Sequence, residues 1–462
     1  MQLLVGLAST PDTLGNLERC RTGLAELGRS LGFDLLTGDR ALSDRADAEA
    51  VSRHFAAQSV DLVLLLCNTF TPNGDVVLPF ATLPARLGLW ALPEPTREGP
   101  LRLSSLVALN LFASMLQHYG NGPQPRCKWF LGEVAAPAFR RRLEVTVRAL
   151  RAIKGLDGAT IGYIGGHAPG FDNLAFDADA LQRNLGVRVR ELPLAAVIDE
   201  ARACSEEEAV DRGAGIAAQA SEVACSAGDL QATGRIALAL QRILERGGFA
   251  ALAVSCWPGF FQELGVFPCV AYGTLNAEGT IVACEGDVMS AVSLLALSLA
   301  GDARPTLMDM VSLLPDERAL CFWHCGLATW NLADSGGVRL ITRPVPQADG
   351  SSADVGGFAD VSFAPGAATV ARIGRNGKEL LVAGGEISDQ LGPGYEGSSG
   401  WLTELHMAHQ QVTPAQFLDA VVRHGVEHHY AVLPQDVADA LVEFASWLGI
   451  QLIEPRELRD SV

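Results

Sequence analysis

The sequence predicts an α/β protein: two N-terminal α/β units with parallel, Rossmann-like sheets, followed by a β-rich C-terminal domain built as a small antiparallel barrel. Three observations predict it. Nearly all-apolar runs such as Val60–Cys67 alternate with stretches of helical spacing, as expected of strands buried on both faces of a parallel sheet. Past Arg304 the helical spacing gives way to short β-rich segments divided by Gly, Pro and Asp turns. The chain has 462 residues, too many for one core, and is 48% hydrophobic and 19% charged, which excludes a disordered chain.

In order, Leu3–Leu7 reads as a strand. Leu14–Leu31 is an amphipathic helix with Leu17, Leu24, Leu27 and Leu31 on one side, and Ala46–Gln58 is a second helix. Val60–Cys67 is the buried strand, and it ends in the polar loop Asn68–Asp75. Polar groups just beyond a central strand are candidates for hydroxyl recognition, and equally are common turn formers. Gly88–Leu92 gives a strand and Leu106–His118 a helix, closing a first domain, 1–130. Arg140–Lys154 is a basic amphipathic helix whose charges read as a solvated face. A second domain, 131–300, opens with the strand Ala159–Ile164. The glycines after it lack dinucleotide-loop spacing. Helices follow at Ala178–Leu185, Glu206–Ala227 and Leu230–Arg246. In the third domain, 301–462, the β segments are Ala319–Trp323, Val338–Pro344, Ala359–Phe363, Thr369–Gly374 and Glu379–Ala383. The chain closes with helix Pro414–His424, strand Tyr430–Leu433, helix Gln435–Leu448 and strand Ile450–Ile453.

A net charge of −18 argues against nucleic acid or an anionic membrane as partner, because phosphates are repelled. Ten scattered cysteines show neither zinc-ribbon nor disulfide-framework spacing and fit a reducing cytoplasm. No basic, apolar leader opens the chain, and Val288–Ala300 is too short to span a bilayer. The sequence is read as soluble and cytoplasmic.

The stretch Ala251–Gly301 carries the chemistry. The strand Phe249–Val254 runs into the turn Cys256-Trp257-Pro258-Gly259, and Glu263 follows. A second strand, Thr280–Cys284, ends in Glu285-Gly286-Asp287 before the helix Val288–Ala300. Carboxylates at the carboxyl ends of adjacent strands lie where an open α/β sheet holds its ligand, and such oxygens suit Mg²⁺ or Mn²⁺. On local grounds alone, Asp287 also reads as a helix N-cap and Glu263 as a solvated loop acid.

Taken together, Cys256-Trp257-Pro258, Glu263-x-Gly265, Pro268-Cys269, Cys284-Glu285-Gly286-Asp287 and His324-Cys325-Gly326 resemble the L-fucose isomerase-like family of metal-dependent aldose–ketose isomerases. The family's enzymes are longer and carry an asparagine where this chain has His428. The resemblance implies a divalent metal, Mn²⁺ first and Mg²⁺ or Co²⁺ as alternatives, held by a Glu, an Asp and a His. Glu263 and Asp287 match the first two in order and separation. For the third, the stretch Ala445–Ile450 matches the family pattern, and counting back lands on His429. His406 and His409 follow a β segment and lack the helical turn a metal pair needs. His428 alternates to the other face of an extended segment, so at most one of the two histidines points at the metal.

The resemblance further implies Glu263 as base and Asp287 as its acid–base partner, with Glu285 in reserve. His324 and Trp257 are expected at the substrate. A homo-oligomer, hexamer or trimer, is implied, in which Asn68, Thr69 and Asn73 touch a sugar across a subunit interface. The implied substrate is L-fucose, D-arabinose or another hexose, including a sulfonated one such as sulfoquinovose. A sulfonate needs an Arg, a Lys or a helix N-terminus. Two other classes remain open: a metal-dependent lyase or aldolase on the same scaffold, and a non-catalytic sugar-binding protein.

Overall fold

Local sequence decides most of the elements, and strand register decides what they bring together. The computed structural model describes residues 2–120, 127–346 and 351–456, and the chain divides into two units, Met1–Arg151 and Ala152–Val462. The ranges 131–300 and 301–462, expected as separate domains, lie within the second unit apart from the first twenty or so residues.

The first unit contains β1 (Leu3–Ser9), α1 (Asn16–Leu31), β2 (Phe33–Thr37), α2 (Arg45–Ala57), β3 (Leu62–Cys67), β4 (Arg86–Ala91), α3 (Ser105–Tyr119) and β5 (Lys128–Leu131). The five strands are parallel in the order β2-β1-β3-β4-β5. β3 is buried at every residue, which is why its sequence does not alternate. Asp44 caps α2 by accepting the Asp47 N–H. The helix α4 (Pro137–Leu156) follows. β2, in which only Phe33 is fully buried, was not legible as a strand.

The second unit begins with a parallel sheet in the order β10-β9-β6-β7. Its members are β6 (Thr160–Ile164), β7 (Arg188–Leu192), β9 (Ala251–Val254) and β10 (Val282–Ala283), with α5 (Ala178–Leu185) and α6 (Leu194–Ala203) in the connections. The expected single helix Glu206–Ala227 is instead α7 (Glu206–Ala217) and a short strand, β8 (Glu222–Val223). The Ser221 and Ala224 N–H groups donate to Val338 and Leu340, so pairing with a distant strand outcompetes helical continuation. α8 (Ala227–Gly247), α9 (Gly259–Leu264), α10 (Cys269–Glu278) and α11 (Val288–Ala300) complete this part. α11 is buried almost throughout, as its continuous apolar sequence requires.

The β-rich remainder closes on itself. β11 (Thr306–Leu314), β12 (Ala319–His324), β13 (Arg339–Pro346), β14 (Ser352–Ser362), β15 (Gly366–Gly374), β16 (Glu379–Ser388), β17 (Ser398–Met407), β18 (Gln410–Gln411), β19 (His429–Leu433) and β20 (Gln451–Leu452) form one sheet with β8. Six of these strands pair antiparallel in a ring, β16-β15-β19-β11-β12-β17, and β17 returns to β16. Closure leaves no unpaired edge in the ring. α12 (Pro414–His424) and α13 (Ala438–Leu448) flank β19 in sequence, and α12 carries a Thr413/Gln416 capping box. Ile373 N–H on β15 donates to Ser293 Oγ on α11 at 2.9 Å, tying the barrel to the helix that Asp287 caps. Among the described residues no helix is long and apolar enough to cross a membrane.

Candidate active site and metal centre

The site grows from the turn Cys284–Asp287, which joins β10 to α11. Glu285 has φ +60° and Gly286 φ +69°, the left-handed region. A Cβ on Gly286 would lie 2.1 Å from the Gly166 carbonyl oxygen, so only glycine fits there. Gly286 N–H donates to Val254 O at 3.0 Å and Ala168 N–H to Glu285 O at 3.1 Å. The turn is therefore held on both sides, and it aims Glu285 at the start of β19.

Asp287 is fully buried and both its oxygens are used. Oδ1 accepts the Ser290 N–H at 2.9 Å, the N-cap bond, while Oδ2 accepts Ser290 Oγ at 2.7 Å and Arg372 Nη1 at 2.6 Å. Oδ2 also accepts a hydrogen bond from His429 Nδ1–H at 2.9 Å. Burial pushes the carboxyl up, but the Arg372 guanidinium and His429 hold it well below the usual carboxylate range. Arg372, itself buried, also reaches Glu427 Oε2 at 3.2 Å. Local sequence anticipated the cap. The structure adds that this capping carboxylate orients a histidine.

With Nδ1 committed to Asp287, His429 presents Nε2. That atom lies 3.4 Å from Glu285 Oε2 and 3.8 Å from Asp309 Oδ1. Burial pulls the His429 pKa down, but Asp287 and Glu285 raise it to about 9. Burial likewise pushes Glu285 up, and the imidazoles of His428 and His429 bring it down to about 2. Asp309 arrives by register: it stands opposite His429 across the β11–β19 pair. His324, buried at the end of β12, stacks on His429 with ring centroids 5.9 Å apart. Its Nδ1 faces the Cys325 N–H at 2.9 Å and Cys325 Sγ at 3.2 Å, leaving Nε2 turned elsewhere.

Four buried atoms in this place have no hydrogen-bond partner: Glu285 Oε2, Asp309 Oδ1, His324 Nε2 and His429 Nε2. Leaving one such atom unpaired costs about 1–3 kcal/mol, so a cluster of four marks a ligand site and not an ordinary core. The donors of Glu285, His428 and His429 all lie within 4.8 Å of one another, close enough for one cation. Two imidazoles and a carboxylate suit a divalent ion of the Mn²⁺ or Zn²⁺ kind, and a carboxylate on the far side of the histidine is the usual support for such a ligand. The residues present fit a metal.

The expected trio is only partly brought together. Asp287 and His429 meet. Glu263 does not join them: it lies on the exposed side of α9, half exposed, with Oε2 2.8 Å from Arg202 Nη2. The turn at Cys256–Gly259 passes directly into a short helix, which carries that acid to solvent, and Glu285 stands at the histidine instead. His428 and His429 also depart from strict alternation, since both Nε2 atoms lie within 3.5 Å of Glu285 Oε2. His428 precedes β19 and is not bound by the strand's two-residue period. Trp257 is half exposed between β9 and α9. In the first unit, Asn68 is buried and accepts from Asn16 at 2.9 Å, Thr69 Oγ1 donates to Pro11 O, and Asn73 Nδ2 donates to Ser43 O. Sequence reading missed Asp309 and Arg372. Each is a lone charge in an apolar strand, Leu307-Met308-Asp309-Met310 and Val370-Ala371-Arg372-Ile373, and that placement was the available signal.

No family model matches the chain. Curated relatives named sulfoquinovose isomerase do, among them the following three. The protein of Priestia aryabhattai is 26% identical over 398 residues, covering 85% of each chain. That of Alkalicoccus urumqiensis is 27% identical over 372 residues, covering 79% of this chain and 80% of its own. That of Clostridium sp. (strain MSTE9) is 27% identical over 373 residues, covering 79% of each. A solved periplasmic solute-binding protein of Actinobacillus succinogenes 130z aligns at a TM-score of 0.19 and 12% identity, too low to bear on the fold. The curated relatives make this chain an enzyme, a sugar isomerase of the aldose–ketose class.

Proposed function

We propose that the protein is a metal-dependent aldose–ketose isomerase of the L-fucose isomerase-like kind whose substrate is a 6-sulfonated hexose, sulfoquinovose. The observation that carries the site is the four unpartnered buried atoms around His429. The substrate follows from the relatives, which are sulfoquinovose isomerases.

Glu285 and His429, with His428 beside them, are the residues to hold the metal, and Mn²⁺ is the ion we favour. When bound, such an ion supplies Lewis-acid stabilisation of the negative charge that develops on the two sugar oxygens. Asp287 holds the His429 tautomer with Nε2 as acceptor. Isomerisation takes a proton from C2 and returns one to C1, while a second moves between O2 and O1. Glu285, held down to about 2, is a good ligand and a poor base. Asp309, whose Oδ1 is buried and unpartnered while its side chain as a whole is 26% exposed, is the better proton carrier. His324 Nε2 is placed to hold a sugar oxygen.

For the sulfonate we assign Arg343. Its guanidinium lies 5.7 Å from the Trp323 ring centre and 5.0 Å from that of Phe358; Nη2 donates to Glu396 O at 3.0 Å, while Nε is buried and makes no hydrogen bond, with the exposed Glu396 carboxylate 4.0 Å away. Trp323 in turn stacks on His324, with centroids 6.5 Å apart, so Arg343 stands at the far end of the ring series that leads to His429. A cytoplasmic homo-oligomer is part of the same reading, and all ten cysteines being free supports a reducing compartment.

The test is proton NMR in D₂O of the Mn²⁺-loaded protein over a panel of neutral and sulfonated aldoses, with Glu285→Gln, Asp309→Asn and Glu263→Gln variants. Deuterium at C2 with ketose forming from sulfoquinovose, lost in the first two variants and kept in the third, is expected. Activity that survives Glu285→Gln but not Glu263→Gln would overturn the assignment. Carbon–carbon cleavage in place of ketose would favour the lyase, and binding without exchange the sugar-binding protein.

A further inference from the structure

Four cysteines gather behind the site, and one pair among them is placed for chemistry. Cys269 is the first residue of α10, and Cys325 follows His324 at the end of β12. Their sulfurs are 3.5 Å apart, hydrogen-bonded, 56 residues distant in sequence. Both are free thiols, Cys269 buried and Cys325 partly accessible. Cys325 Sγ also lies 3.2 Å from His324 Nδ1. We propose that Cys269 and Cys325 are an oxidisable pair, a modification site at which a hydroperoxide forms a disulfide directly behind His324.

The contact alone brings the sulfurs to within about 1.5 Å of the S–S bond length. The accessible partner is also the more reactive one: the Cys269 S–H donated to its sulfur and the His324 ring bring the Cys325 thiol well below the usual range. In the first step the Cys325 sulfur attacks a peroxide oxygen. The O–O bond breaks, leaving sulfenic acid on Cys325 and releasing water. The Cys269 sulfur then attacks the sulfenic sulfur, the S–O bond breaks, the S–S bond forms, and a second water leaves. Two electrons pass from the thiol pair to hydrogen peroxide, and both thiol protons end in water. The new bond draws Cys325 Sγ away from His324 Nδ1. Because His324 is read as holding a sugar oxygen, turnover falls with it, a consequence that rests on the proposed function. Disulfide formation does not.

The experiment treats the Mn²⁺-loaded protein with hydrogen peroxide, blocks remaining thiols and maps peptides by mass spectrometry, alongside the isomerase assay. A Cys269–Cys325 cross-linked peptide is expected. It should be absent in Cys269→Ser and Cys325→Ser and cleaved by dithiothreitol, with activity lost and recovered in parallel. In Cys269→Ser, Cys325 is expected to run on to sulfinic acid. Oxidation that instead joins Cys256 to Cys284, or sulfinic acid at Cys325 in the wild type without any cross-link, overturns the proposal. A cross-link with activity unchanged confirms the oxidisable pair and refutes the role given to His324.

Discussion

Replacing Asp287 by Asn separates two roles that sequence reading had merged, metal ligand and support for a ligand. The substitution keeps the shape, the N-cap acceptor and one hydrogen bond to the histidine side, but removes the charge. Arg372, 1% exposed, then keeps only Glu427 at 3.2 Å as an ionic partner. Breaking a buried pair by removing one member costs about 3–5 kcal/mol. Loss of the carboxylate behind a ligating histidine costs about 10–100-fold in metal affinity, or about 1.4–2.7 kcal/mol at 1.36 kcal/mol per decade. Urea unfolding of the chelator-treated protein reads the first quantity, with an unchanged m value confirming that a single folded state is compared. Calorimetric titration of Mn²⁺ reads the second. A folded variant with unaltered Mn²⁺ affinity would refute the orienting role. A loss far beyond 100-fold would show that Asp287 ligates the ion itself.

Four further outcomes follow from the same geometry. Because His429 titrates at about 9 and must be neutral to ligate, Mn²⁺ binding near pH 7.5 should release about one proton, read as a buffer-dependent binding enthalpy. The metal-free protein should be most stable between the two shifted groups. The raised His429 contributes stability that is complete below its unfolded value and lost as pH rises through about 9. The lowered Glu285 contributes above about 4.5 and is lost as pH falls toward 2, so urea midpoints should decline on both sides. Gly286→Ala must place a Cβ against Gly166 O at φ +69°; a conformational cost of about 1–2 kcal/mol plus that clash should displace Glu285, weakening Mn²⁺ binding more than overall stability. Arg343→Met should raise KM for a sulfonated hexose about tenfold or more while leaving neutral aldoses unchanged, the difference expected for one charge-assisted contact of about 1.5–3 kcal/mol; equal effects on both sugars would remove Arg343 from the sulfonate.

Elements whose causes lie within a few residues were legible. Val288–Ala300, Ala178–Leu185 and Pro414–His424 were read with the bounds the structure has, because caps, apolar spacing and the glycines that stop helices are local. The antiparallel barrel was legible as a texture of short strands and turns. The strands β11 and β17 were not, since each mixes polar and apolar positions whose burial depends on neighbours far along the chain. Asp287 as a cap could be named from its helix, and His429 was singled out by family pattern.

Sequence by itself determined the α/β-then-β order, the turn that carries Glu285 and Asp287, and the capping carboxylate. Tertiary structure alone decided which acid meets the histidine. Spacing cannot tell whether a short helix turns Glu263 outward to Arg202. Nor can it tell that the pairing of β11 with β19 sets Asp309 opposite His429, 120 residues away. That choice belongs to register and to barrel closure, which are settled by the burial of many side chains at once.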